Sequence, residues 1–257
     1  MNINLTTKDL TAIVVCSALY AVFGYVTSGF SFFGIGFLPA VLIPAVFAAL
    51  YGPWVGGISG AIGIFIRDVL VHGNAPLSLV AGVPANFVLF FLIGYLYTKN
   101  ISLKQALIFV SLAIVGLLVP SIVFLPDMTL FAGFSAGVFL LIFGLTIIGS
   151  LVAIAIVSVY WKEWRSYAIG AIVGQIAGGL LLSITVWAVS PLFLDYFGVP
   201  FGAALVLPLF VWTIATEIPF IIIAGPPIIA VVQSAFPALR YRNKPQNKGG
   251  TIDQKNR

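Results

Sequence analysis

The chain is divided into eight apolar segments that contain almost no charged residues, and this pattern limits the folds open to it. The segments cover residues 10–28, 37–51, 54–70, 78–97, 104–124, 134–160, 167–190 and 203–235. They reach or approach the roughly 20 residues that an α-helix needs to cross a bilayer. A spanning segment must satisfy its own backbone polar groups, so it is a helix or a barrel strand. These runs are too long for barrel strands and lack their alternation. The sequence therefore predicts an all-α, polytopic membrane helical bundle with about eight transmembrane helices.

The charge content supports a lipid-facing surface. Only 7% of the 257 residues are charged and 61% are hydrophobic, whereas a soluble domain carries roughly 25% charged residues. The isoelectric point near 9.4 raises the question of nucleic acid, but the basic residues lie in short loops and in the tail. This is the distribution that orients membrane proteins. We expect the lipid bilayer, and no nucleic acid, as a partner.

The basic residues also predict the orientation of the chain. With the N-terminus inside, eleven of the twelve basic residues fall on the cytoplasmic side, and Arg67 alone falls outside. The eleven are Lys8, Lys99, Lys104, Lys162, Arg165 and the six of the tail. Such an excess is typical of cytoplasmic loops. We expect a multi-pass protein of the cell membrane with both termini cytoplasmic, built from one transmembrane domain (1–238) and a disordered, basic cytoplasmic tail (239–257).

Glu217 is the most informative single residue, because a carboxylate inside an apolar segment is costly and is a functional candidate by default. A protonated or paired structural glutamate is the alternative. The segment around it is longer than one straight span. Pro219 and the pair Pro226-Pro227 are expected to kink or break it.

A second polar group follows the third segment, where Arg67 and Asp68 are close in sequence to His72 and Asn74. These residues either form a solvated ion pair at a helix end, which contributes little, or line the mouth of a substrate site. Asn86 lies inside the fourth segment and is either an interhelical hydrogen-bonding group or a ligand contact. The substrate-binding residues that we predict are Arg67, Asp68, Asn86 and Glu217.

The first segment carries a face of small residues that includes Ser17, Ala18 and Ala21. Small side chains allow another helix to approach closely. The partner is either another helix of this chain or a second protein, and we take Ser17, Ala18 and Ala21 as candidate partner-binding residues.

No catalytic or metal-binding constellation is recognisable in the sequence. A GxxxxGK[ST] phosphate loop and an HExxH motif are both absent, and His72 is the single histidine. Gly57-Ile58-Ser59-Gly60 matches the GxSG motif of rhomboid proteases, whose serine needs a histidine base. His72 lies on the same helix, roughly 20 Å along it. A helix-packing face is the better interpretation, and we predict no enzyme activity, no cofactor and no metal.

Four features of the first hundred residues form a recognisable pattern. They are the small face Ser17-Ala18-Leu19-Tyr20-Ala21, the Gly52-Pro53 turn after a short second helix, a glycine-rich third helix ending in Arg67-Asp68, and a fourth helix with Gly82, Pro84 and Gly94. With this pattern the chain resembles the substrate-binding S component of energy-coupling factor (ECF) vitamin transporters. Glu217-Ile218-Pro219 resembles the last helix of that family. The family usually has six helices, so two additional helices are expected within residues 104–190.

The resemblance implies a function and partners. S components bind a water-soluble vitamin or a related small molecule from outside. They deliver it together with a transmembrane coupling subunit and two ATPase subunits, and the small face of the first helix is the docking surface. Two alternatives remain open from the residues alone. One is a stand-alone, proton-coupled secondary transporter that uses Glu217, and the other is a membrane enzyme.

Overall fold

The computed structural model of the protein is a bundle of helices with one small β-hairpin among its described residues. The described residues are 5–29, 31–32, 35–36, 38–123, 137, 144–198 and 200–242. Within them, eight helices have ten or more residues: α1 Thr7–Val26, α2 Leu42–Tyr51, α3 Pro53–His72, α4 Ala75–Tyr97, α5 Leu103–Val123, α6 Leu145–Tyr160, α7 Arg165–Val189 and α8 Val206–Ala235. Shorter helical turns cover Pro39–Val41, Leu194–Phe197, Ala203–Leu205 and Pro237–Arg242. Two-residue strands, β1 Ser31–Phe32 and β2 Ile35–Gly36, pair antiparallel before α2.

Five of these helices are long and apolar enough to cross a membrane. They are α1, α3, α4, α7 and α8, which have 20 to 30 residues each. At a rise of about 1.5 Å per residue, a 20-residue helix matches the roughly 30 Å of bilayer hydrocarbon. The predicted class of multi-pass, all-helical membrane protein is confirmed. The described apolar parts of α2, α5 and α6 are shorter, with 10 to 17 residues.

Local sequence signals explain where several helices begin and end. The side chain of Thr6 accepts from the backbone N–H of Asp9 while the Asp9 carboxylate accepts from the backbone of Thr6, which forms a capping box at the start of α1. Gly52 has a φ of 98° and is followed by Pro53 at the first position of α3, as the Gly-Pro pair predicts. The tight turn between α2 and α3 therefore depends on a backbone conformation that glycine adopts without strain.

The last helix, Val206–Ala235, is continuous through its three prolines. Of the predicted kink or break, the break is therefore absent. The hydroxyl of Tyr167, in α7, donates to the carbonyl of Ile221 over 3.2 Å. Thr216 donates from its hydroxyl to the carbonyl of Trp212 over 2.8 Å. The carbonyls that the three prolines leave without an N–H partner are those of Ala215, Ile222 and Ile223. The two hydrogen bonds therefore support α8 beside its prolines without replacing the missing backbone bonds.

Glycine faces bring the central helices into close contact. A Cβ added at Gly174 of α7 would lie 2.6 Å from the carbonyl oxygen of Leu89 in α4, and one at Gly178 would lie 2.8 Å from that of Ala85. On α3, a Cβ at Gly60 would collide with the ring of Phe90. These contacts place α4 between α3 and α7, and they support the interpretation of the small residues of α3 as a packing face.

The long helices alternate in direction, so the loops separate into two ends. At one end, Ser166 donates to the carbonyl of Lys99 over 2.5 Å, and Gln233 lies 3.5 Å from the hydroxyl of Tyr97. The basic loops after α4 and before α7, together with the end of α8, therefore share this end. The end of α3, the start of α4, the end of α7 and the start of α8 lie at the opposite end.

Some of the expected segments fall partly outside the described residues. These are the loop 125–133, most of the first ten residues of the sixth segment, and residues 243–257 of the predicted tail. The start of that tail is helical, because Pro237–Arg242 forms a short helix in which Leu239 packs against the hydrophobic core.

Candidate functional site

A cavity of about 80 Å³ lies at the end of the bundle where α3 ends and α4 begins. Its walls come from α3, α4, α7, α8 and the short helix Leu194–Phe197. By the requirement of roughly 10–15 Å³ for one water molecule, it has room for several waters or a small polar molecule. The polar residues that line it are Arg67, Asp68, His72, Asn74, Ser78, Asn86, Tyr196 and Glu217.

The structure brings all four predicted substrate-binding residues to this cavity. Arg67 and Asp68 come from the end of α3, Asn86 from α4 and Glu217 from α8. They come from three different helices, and the packing of these helices places them together. Their contact with a ligand remains a prediction.

The Arg67 side chain is buried, with 3% of its surface exposed, and the Asp68 side chain is 14% exposed. Nη1 of Arg67 donates to Oδ1 of Asp68 over 2.9 Å and lies 3.0 Å from Nε2 of His72. Nε2 of His72 is the acceptor in this contact, because a guanidinium group can only donate. Arg67 and Asp68 are therefore part of an enclosed network. The interpretation of this pair as a solvated ion pair at a helix end is wrong.

The other oxygen of Asp68 is held by the start of α4. Ser78 donates from its hydroxyl to Oδ2 over 2.7 Å. Ser78–Gly82 forms a π-helical turn, a feature that occurs frequently at functional sites. A Cβ added at Gly82 would lie 2.7 Å from the same oxygen of Asp68. The turn thus brings a hydroxyl and a glycine backbone against one carboxylate.

Asn86 is both a helix-to-helix contact and a part of the cavity wall. Its Oδ1 accepts from the hydroxyl of Tyr20, in α1, over 2.8 Å. Its Nδ2 donates to the carbonyl of Gly82 over 3.0 Å. These two bonds fix the orientation of the amide. Asn86 is therefore an interhelical hydrogen-bonding group, and its position in the cavity wall is compatible with a ligand contact as well.

Glu217 is held by α7 and is 7% exposed. Its Oε2 accepts from Nε2 of Gln175 over 2.8 Å, and the same nitrogen donates to the carbonyl of Thr213 over 3.3 Å. Arg67 and Glu217 line the same cavity without an ion pair within 4.0 Å among the described residues. Oε1 of Glu217 has no hydrogen-bond partner in the described part of the chain, which leaves an acceptor at the cavity.

Tyr196 lines the same cavity and was missed by the sequence analysis. Its ring meets that of His72 edge to face, with centroids 6.1 Å apart. Burial, followed by the negative charge of Asp68, raises the pKa of Tyr196 above its ordinary value, so its hydroxyl stays protonated and can donate a hydrogen bond. Nothing in the loop sequence around Asp195 distinguishes this tyrosine from other aromatic residues near membrane surfaces.

The candidate partner-binding residues of α1 divide between two faces. Ser17 and Ala21 are 3% and 2% exposed, and Ser17 donates to the carbonyl of Ser59 in α3 over 3.2 Å. Ala18 is exposed. Ser17 and Ala21 therefore pack within the chain, which is the alternative given above. Of the three residues, only Ala18 faces outward.

Ser59, the serine of the GxSG motif, lies in the contact between α1 and α3. It is fully buried, and its hydroxyl donates to the carbonyl of Val55 over 2.5 Å. His72 ends the same helix, at the cavity. This placement fits the helix-packing interpretation.

The fold and the site define a multi-pass helical membrane protein with a polar cavity near one end of its bundle.

Comparison with known proteins finds similarity to UPF0397 proteins. That of Aliivibrio salmonicida (strain LFI1238) is 32% identical over 119 residues, which are 44% of this chain and 65% of the relative. That of Aliivibrio fischeri (strain MJ11) is 34% identical over 122 residues, with the same coverage of 44% and 65%. The chain thus spans just under two thirds of the length of the curated relatives it matches. No family model matches the chain, and no solved structure matches it.

Proposed function

We propose that this chain is the membrane-embedded substrate-binding subunit of an ECF-type transporter. It captures a water-soluble vitamin or a related small metabolite from outside and delivers it with a transmembrane coupling subunit and two ATPase subunits. The observation that carries this proposal is the convergence of Arg67, Asp68, Asn86 and Glu217 on one cavity. Polar groups that converge in a small pocket are the usual sign of a ligand site.

The proposed orientation places this cavity at the outer end of the bundle. All eight helices span the membrane in this proposal, with both termini in the cytoplasm of the cell. The loops that carry Lys99 and Arg165 then lie inside, in agreement with the positive-inside rule. The ends of α3 and α7 and the starts of α4 and α8 lie outside, where a water-soluble molecule arrives.

Glu217 and Asn86 recognise complementary groups of the ligand in this proposal. The free Oε1 of Glu217 accepts a hydrogen bond from a cationic or N–H group. A buried carboxylate strongly favours such a partner, because an uncompensated charge in a low-dielectric site is costly. The amide of Asn86, fixed by Tyr20, presents its remaining hydrogen-bonding capacity to the same cavity.

The energy for transport comes from the partner subunits in this proposal, because the sequence has no phosphate loop of its own. Docking uses the outward face of α1, where Ala18 is the small residue that allows close approach. Ser17 and Ala21 support this helix from behind by packing on α3.

Capture without chemistry is tested with the purified chain in lipid nanodiscs. We expect mass spectrometry of the denatured sample to release one small metabolite, which rebinds without being converted. Glu217→Gln and Asn86→Ala lower its occupancy, whereas the matched exposed changes Glu163→Gln and Asn100→Ala leave it unchanged. Uptake into liposomes that contain this chain alone would contradict the proposal.

A stand-alone, proton-coupled transporter is the second candidate, and one observation favours it. Glu217 is a buried carboxylate that lines a cavity, which is the type of residue that carries protons in membrane transporters. This function predicts uptake by the chain alone that an uncoupler abolishes and that Glu217→Gln eliminates. Liposome uptake with and without an ATPase partner separates the two candidates.

A further inference from the structure

One edge of the Arg67 guanidinium has no hydrogen-bond partner in the part of the chain that the structure describes. Asp68 and His72 both contact Nη1. Nε and Nη2 are buried and have no hydrogen-bond partner among the described residues. Nη2 is the terminal nitrogen trans to Cδ, so its N–H and that of Nε point from the same edge of the planar group. Arg67 therefore keeps one pair of parallel donors free.

This pair of donors matches the two oxygens of a carboxylate. Arginine binds carboxylates through two parallel N–H···O bonds, a geometry that lysine cannot provide. Buried donors without a partner are rare in folded proteins, and each one calls for an explanation. We propose that Arg67 binds a carboxylate of the captured molecule, so that the substrate is a small carboxylate-bearing metabolite. This inference rests on the proposed function of substrate capture.

The charges around Arg67 favour a carboxylate over a phosphate. Asp68 already holds Nη1, and Glu217 lines the same cavity. A phosphate monoester brings a charge of about −1.5 to −2 into a site that contains two carboxyl groups, whereas a carboxylate brings a single charge. Since Nε and Nη2 are enclosed by protein atoms, contact requires the guanidinium to turn toward the cavity that its side chain lines.

Two residues of the cavity wall then select complementary groups of one molecule. Arg67 binds the acid, and the free oxygen of Glu217 binds an amine or another N–H donor. The ligand class is a small amphoteric metabolite that carries both an acidic group and an N–H donor.

The test uses the full chain in nanodiscs of phosphatidylcholine, which supplies no anionic lipid. The metabolite released from the wild type is treated with acidic methanol, and mass spectrometry shows whether it forms a methyl ester. We expect the ester, and rebinding of the ester at least about 100-fold weaker than that of the acid, since esterification removes the charge that strengthens both hydrogen bonds. Acetate is expected to displace the metabolite better than acetamide does.

Variants assign this preference to Arg67. Arg67→Gln should bring the acid-to-ester affinity ratio close to one. Arg67→Lys should lower the ratio less, because lysine keeps the positive charge but lacks the planar pair of donors. Arg165→Gln is the matched control, because Arg165 is also buried but lies at the opposite end of the bundle. If the Arg67 variants do not fold, esterification of the metabolite from the wild type and competition by acetate still show whether the site binds a carboxylate.

The possible outcomes distinguish a failure of the carboxylate inference from a failure of the proposed substrate-capture function. A released metabolite without a carboxyl group, equal displacement by acetate and acetamide, or an unchanged ratio in Arg67→Gln would overturn the inference and leave substrate capture standing. A preparation that neither releases nor binds any metabolite would overturn both. Displacement by inorganic phosphate but not by acetate would show that the site takes a phosphate and would overturn the carboxylate.

Discussion

Gln175 of α7 donates a hydrogen bond to Glu217 of α8 over 2.8 Å, and both side chains are buried. The amide nitrogen of Gln175 also donates to the carbonyl of Thr213. One side chain thus fixes the carboxylate and the helix that carries it. Glu217 is therefore held in place at the cavity, and its free oxygen has a defined direction.

Gln175→Leu should weaken ligand binding by about 10- to 100-fold, because a hydrogen bond to a charged group contributes about 1.5–3 kcal/mol. Isothermal titration of the metabolite released from the wild type measures this loss. Gln233→Leu is the control, since Gln233 lies near Tyr97 at the other end of α8. Wild-type affinity in Gln175→Leu would mean that Glu217 does not depend on this amide.

Tyr20→Phe should lower the free energy of unfolding by about 0.5–1.5 kcal/mol, the range of interhelical hydrogen bonds in membrane proteins. The change removes the donor to Asn86 but keeps the ring, which packs edge to face on Phe90 at 5.9 Å. Unfolding in mixed micelles with increasing dodecyl sulfate measures the difference. Tyr160→Phe, at a position that is 77% exposed, should leave the midpoint unchanged.

The membrane class and most helix boundaries were predictable because they depend on local properties. Length, hydropathy and the Gly52-Pro53 turn are read directly from consecutive residues. The continuity of α8 was not, because Pro219, Pro226 and Pro227 each remove one backbone hydrogen bond. A proline indicates which backbone bond is lost, but not whether packing against other helices keeps the helix continuous.

The candidate site was predictable to the extent that its residues are rare in apolar helices. Arg67, Asp68, Asn86 and Glu217 stand out for that reason. Tyr196 did not, since aromatic residues are common at membrane surfaces. The inward direction of Ser17 was also beyond the sequence, because a small residue suits an internal and an external contact equally.

Gly24→Ala should weaken ligand binding about tenfold by displacing Arg67. The added Cβ would lie 3.0 Å from Cγ of Arg67 and 3.3 Å from Cδ1 of Leu38, and such overpacking costs about 1–3 kcal/mol. Titration of the released metabolite measures the change. Gly29→Ala is the matched control, because no atom of the described residues lies within 4 Å of the Cβ that it would add. Unaltered affinity in Gly24→Ala would show that the position of Arg67 is not critical.

Gly174→Ala should lower the free energy of unfolding by about 1–3 kcal/mol. The new methyl group would lie 2.6 Å from the carbonyl oxygen of Leu89, so α4 and α7 must separate. Gly149→Ala in α6 provides the comparison in the same micelle assay, because among the described residues the added atom meets nothing within 4 Å. A stable Gly174→Ala protein would imply that the two helices adjust without cost.

The proposed orientation predicts opposite labelling of two exposed positions, Asp195 and Lys162. Each is changed to cysteine in a Cys16→Ala background, and intact cells are treated with a membrane-impermeant maleimide. Asp195→Cys, beside Tyr196 at the cavity end, should react from outside. Lys162→Cys, between α6 and α7, should react only after permeabilisation, because basic loops stay in the cytoplasm. The reverse pattern would turn the cavity toward the cytoplasm, and a capture subunit for external metabolites could not work in that orientation.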